Sequence, residues 1–90
     1  MTHNGTLDKA HPVSDPITVD ASDFATILVK GGGAGITVLE YQVDNDWVSH
    51  LLRGASIRWL AAGDVIRFRL FNADDQSEVL WSINNGYAAP

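Results

Sequence analysis

Val65-Ile66-Arg67-Phe68-Arg69-Leu70-Phe71-Asn72 carries the cleanest strand periodicity in the sequence. Ile66, Phe68 and Leu70 alternate with Arg67 and Arg69, a period of two. Successive side chains of a β-strand point to opposite faces, so the three apolar residues enter a core and the two arginines face outward. Downstream, Ala73 to Ser77 is a polar loop. Val79, Trp81 and Ile83 then alternate with Leu80, Ser82 and Asn84 in a last strand, which Asn84-Asn85-Gly86 ends before a short tail from Tyr87 to Pro90. Upstream, Ala61-Ala62-Gly63-Asp64 is a turn, preceded by a strand over Ser56 to Leu60 (SIRWL) and a break at Arg53-Gly54-Ala55.

Further upstream the same signals recur. Ile36 to Val43 (ITVLEYQV) and Trp47 to Leu51 flank the polar turn Asp44-Asn45-Asp46 and read as a hairpin. Gly31 to Gly35 is a flexible connection, and Phe24 to Lys30 (FATILVK) and Ile17-Thr18-Val19 are β-branched or apolar runs. No stretch carries a sustained helical pattern with caps. Roughly seven short strands at this spacing predict an all-β fold, a small antiparallel β-sandwich or barrel. Immunoglobulin-like and jelly-roll-like sandwiches both fit the pattern. Met1 to Asp15 shows neither period 2 nor period 3.6, and Pro12 and Pro16 restrict its end. It reads as an extended N-terminal arm, either disordered or ordered on a neighbour. The expected organisation is an arm over 1–15 and a β-sandwich domain over 16–90.

Ninety residues suit one domain with a modest core. Small domains often need a staple, and the chain has no cysteine to form disulfides or a Cys-based zinc site. Support from neighbouring subunits is the remaining expectation. The net charge of −5 argues against nucleic acid as a partner. No apolar run approaches the length that spans a bilayer, and the first residues lack the apolar stretch of a secretory signal. Charge is uneven: Arg53, Arg58, Arg67 and Arg69 lie close together in sequence, whereas Asp8, Asp15, Asp20 and Asp23 crowd the first quarter. That asymmetry suits contacts between copies or with an acidic neighbour, and ordinary solvated surface explains it equally well.

Signals for chemistry are sparse. Ser49-His50 are adjacent, but strand neighbours point apart. His3, His11 and His50 form no metal-ligand spacing, and Asp44 and Asp46 lack a full loop of oxygen ligands. The glycine run lacks the following Lys-Ser/Thr and helix of a phosphate loop. No enzyme activity, cofactor or metal is expected. Of the three tryptophans, Trp81 and Trp59 read as core, the latter because it shares a face with Ile57. Trp47 follows a polar turn and reads either way; exposed, it could stack on a sugar ring.

The pairing of ITVLEYQVDNDW with SIRWLAAGDVIRFRLFN, with its Y-x-V-x-x-x-W strand end and A-G-D-V-I-R-F-R-L turn and strand, resembles small β-sandwich virion proteins of tailed bacteriophages. Capsid decoration (cement) proteins are the main example, and the small β domains of tail and fibre proteins are similar. The resemblance covers under half of the chain. It implies a structural protein on the capsid exterior, assembled in the host cytoplasm, often trimeric, that clamps neighbouring capsomers with help from an N-terminal arm. The expected partners are other copies of the chain and a capsid or other virion protein. The expected interface residues are Arg58, Arg67 and Arg69 on outward faces, Trp47, and His11 and Pro12 of the arm. The alternative is a carbohydrate- or receptor-binding module of a phage tail or fibre.

Overall fold

The computed structural model describes residues 2–52 and 54–85. Arg53, expected in the basic stretch, and the tail over 87–90 lie outside the described residues. The chain forms β1 (Thr2–Asp8), β2 (Ile17–Thr18), β3 (Asp23–Gly32), β4 (Ile36–Val43), β5 (Asp46–Leu51), β6 (Ala55–Leu60), β7 (Val65–Phe71) and β8 (Glu78–Asn85). Among the described residues these form two four-stranded antiparallel sheets, ordered β1-β8-β3-β6 and β2-β7-β4-β5. The all-β expectation therefore stands.

The pairing is nested. Strand β4 pairs with β5, β3 with β6, β2 with β7 and β1 with β8. The chain thus behaves as one long hairpin folded over on itself, and β3–β8 and β4–β7 pairs complete the sheets. Its tip is the Asp44-Asn45 turn, where both residues hold positive φ (50° and 71°). That is the type I′ geometry whose twist matches the flanking strands, and Asp and Asn tolerate it.

One core lies between the sheets. Ile66, Phe68 and Leu70 from β7 meet Val79, Trp81 and Ile83 from β8, with Ala25, Ile27, Leu39 and Leu60. The Phe68 and Trp81 rings stack at 4.3 Å between centroids. The alternation over 65–71 points as the sequence predicts, and Trp81 is core. The body is flat, 37 × 35 × 17 Å, about the depth of two sheets packed roughly 10 Å apart.

The first residues differ from expectation. Thr2–Asp8 is an edge strand in register with β8 from Thr2↔Asn84 to Asp8↔Glu78, and Leu7 is 1% exposed in the core. The segment that follows is also built in. The Leu70 amide donates to the Pro12 carbonyl, the Ser14 amide donates to the Phe68 carbonyl, and Val13 bridges Arg69. A single buried leucine and a row of backbone hydrogen bonds suffice to hold a segment that lacks any hydrophobic period. Gly5 makes this fit possible: a Cβ there would lie 2.7 Å from a ring carbon of Trp81.

Strand β6 departs from the predicted faces as well. Ser56 and Arg58 pair with the core residues Ile27 and Ala25, so they point inward, and Ile57 and Trp59 point outward. The expectations of an outward Arg58 and a core Trp59 are both corrected. Register against β3, fixed by the burial of Leu60, overrides the local preference of the larger apolar residues for the interior.

Candidate functional site

The outer face of the β2-β7-β4-β5 sheet gathers three of the predicted interface residues around one that the sequence reading passed over. Pairing sets Glu40 of β4 beside Arg67 of β7 and Ser49 of β5, and sets Gln42 beside Trp47. Glu40 is only 5% exposed, although it points away from the core. Its Oε1 accepts from Arg67 Nε at 2.8 Å and from Arg69 Nε at 2.9 Å, and its Oε2 accepts from the Ser49 hydroxyl at 3.1 Å. Burial alone would raise the Glu40 pKa, but the hydrogen bonds from Arg67, Arg69 and Ser49 outweigh it and hold the carboxyl below its ordinary value.

The Arg67 guanidinium lies 3.8 Å over the Trp47 ring, and that of Arg69 lies 5.5 Å from the Phe71 ring. Trp47 is neither free nor core. It is half-buried on the outer face, roofed by Arg67, and this cation–π contact fixes both side chains. Each guanidinium spends its Nε on Glu40, so its terminal amino groups are the part a partner can reach. Ile36, Leu51 and Phe71 are exposed on the same face, with Ile36 paired to Phe71. Arginine and aromatic residues held rigidly beside exposed apolar side chains have the composition of an interface centre.

The remaining predicted residues do not join this group. Arg58 points between the sheets, toward Tyr41; burial pushes the Tyr41 phenol above its ordinary value, with Arg58 opposing and Asp64 adding to that shift. Arg58 Nε is buried without a partner. His11 is exposed in the β1–β2 connection, its amide donating to Asp8 Oδ1 at 2.7 Å, and Pro12 is part of the strand edge described above.

The opposite outer face, on the β1-β8-β3-β6 sheet, was missed by the sequence reading. Phe24 pairs with Trp59, Thr26 with Ile57, Leu28 with Ala55 and with Ser82, and Lys30 with Leu80. Trp59 is 57% and Ile57 53% exposed, and Phe24, Leu28 and Leu80 lie between 39% and 50%. Phe24 and Trp59 meet edge to face at 5.2 Å. FATILVK is apolar on both strand faces, and in SIRWL the alternation of Ile57 and Trp59 with Ser56 and Arg58 does not by itself say which set is inward.

No known protein family, curated protein or solved structure matches this chain. Among the described residues, no group of three or more His, Asp or Glu side chains could hold a metal ion.

Proposed function

We propose that the chain is a non-enzymatic structural protein of a virion, a capsid decoration protein that docks on the assembled shell and stabilises it. The observation that carries this reading is the arginine pair Arg67 and Arg69, pinned by Glu40 and Trp47 on the outer face of one sheet, beside exposed Ile36, Leu51 and Phe71. Preorganised guanidiniums recognise carboxylates in a planar, two-pronged fashion, so an acidic shell surface is the complementary partner. Charged contacts of this kind set register and on-rate, and the flanking apolar side chains supply affinity. A protein that binds only the assembled lattice stabilises it by mass action.

The nested pairing supports the jelly-roll form of the predicted sandwich over the immunoglobulin form. Eight strands in two four-stranded sheets fit the former, whereas the latter groups seven strands as ABED and CFG. Jelly rolls recur in viral capsid and lectin domains, an analogy of fold. A second reading, a glycan-binding module, draws on exposed Trp59 and Phe24, whose ring faces suit stacking on sugars.

The test uses particles purified from the cells that produce the chain. The expected result is a fixed copy number per particle and a loss of particle heat resistance when R67E/R69E replaces the wild-type protein. Purified particles without the protein would overturn the reading. Tryptophan fluorescence during titration with a broad glycan panel separates the second reading, which requires a saturable change.

A further inference from the structure

We infer that the outer face of the β1-β8-β3-β6 sheet is the contact surface of a symmetric dimer of this chain. In β6, Ser56 and Arg58 point into the molecule, and Ile57 and Trp59 point out. For an isolated domain that arrangement is inverted: the two largest apolar side chains of the strand meet water, and Arg58 Nε is buried without a partner. Natural sequences break the inside-outside rule mainly where function supplies a compensation. The residues on the neighbouring strand agree, because Phe24 and Leu28 of β3 face the same way, and Leu80 of β8 extends the strip.

The occupant follows from area, charge and shape. Five large side chains between 39% and 57% exposed leave on the order of 500 Å² of apolar surface, at the upper end of what a lone soluble monomer shows. Two such strips with their polar margins approach the roughly 1,600 Å² of a standard interface, so a second copy is sufficient to cover the face. Phe24, Thr26, Leu28, Ile57, Trp59 and Ser82 carry no charge, and Lys30, Glu78 and Asp8 stand at one margin beside Leu80. An uncharged centre is what two copies of net charge −5 need in order to meet. A partner selected by charge would instead require complementary groups there. The face is the outside of a four-stranded sheet in a body only 17 Å thick, and such a face packs on its own image as sheets stack in cores.

This inference does not depend on the virion reading, which rests on the opposite face. Its test is the solution mass of the full chain by sedimentation equilibrium across a wide concentration range. The expected result is a reversible shift from 9.8 kDa to twice that mass, with tryptophan emission moving to shorter wavelength as Trp59 is covered. Ile57→Glu and Leu28→Glu, both at exposed positions, are expected to weaken association at least about 100-fold with an unchanged far-ultraviolet spectrum. Leu51→Glu, on the other outer face, is expected to leave association intact. A monomer at all concentrations overturns the inference. So does a dimer that Leu51→Glu breaks and Ile57→Glu does not, or a saturable glycan response of Trp59 in a chain that never dimerises.

Discussion

Replacing Glu40 with Gln isolates the centre of the arginine face. The carboxylate accepts three side-chain hydrogen bonds, two of them from guanidiniums at 2.8 and 2.9 Å. Each hydrogen bond to a charged group is worth about 1.5–3 kcal/mol net when fully buried. The arginine side chains here retain 18% and 31% of their exposure, so water recovers part of that energy, and glutamine keeps one acceptor oxygen. A loss of about 2 kcal/mol is expected at pH 7, which for a domain of this length lowers Tm by roughly 8–16 °C. The assay is urea unfolding followed by tryptophan fluorescence.

The stability of the cluster depends on pH. The folded Glu40 pKa lies below the ordinary value of 4.5. Its stabilisation is therefore complete above the unfolded value and disappears as pH falls through the lowered folded value. Wild type and Glu40→Gln should differ at neutral pH and converge in acid. The triple variant Glu40→Gln, Arg67→Gln, Arg69→Gln should recover part of the loss, because it leaves no uncompensated cation. Equal stability of wild type and Glu40→Gln at pH 7, or a gap that persists undiminished in strong acid, would refute the account of this cluster.

Two further outcomes test the fold. Deleting residues 2–8 removes buried Leu7 and the partner of β8 along seven residue pairs; loss of a cooperative unfolding transition is expected, and unchanged stability would restore the arm interpretation. Gly5→Ala sets a Cβ 2.7 Å from the Trp81 ring, and overpacking of this kind should cost about 1–3 kcal/mol, read as a lower urea midpoint; an unmoved midpoint would show that β1 does not lie this close.

The later strands were legible because their faces differ in polarity. Arg67 and Arg69 against Ile66, Phe68 and Leu70 leave one assignment that makes physical sense. Strand β6 shows the same contrast, Ser56 and Arg58 against Ile57 and Trp59, but its polar set shares a face with Leu60, and that face is the one turned inward. Only the pairing of Ser56 with Ile27 and Arg58 with Ala25 decides it, and pairing is a non-local fact. Strand β1 was hidden for a related reason. THNGTLD is held by backbone hydrogen bonds and one leucine, neither of which leaves a periodic trace. Glu40 was passed over because a lone carboxylate in ITVLEYQV is an ordinary feature until the arginines of β7 are known to lie beside it.

The two faces constrain one another. They lie on opposite sides of a body 17 Å thick, so a pair joined through Ile57 and Trp59 carries its two arginine faces outward in opposite directions. Such a pair cannot set both faces on one flat surface. One face would meet the shell and the other would point away from it, or the pair would bridge two acidic surfaces that face each other across a gap. In the bridging case the second contact forms at a high effective concentration, and avidity exceeds the affinity of either face. The dimer-breaking Ile57→Glu should then weaken attachment to particles although it leaves Arg67 and Arg69 untouched. In the one-sided case attachment per shell site is unchanged and the bound mass falls by half. Measuring both affinity and bound mass for this single variant therefore decides which geometry the two faces serve.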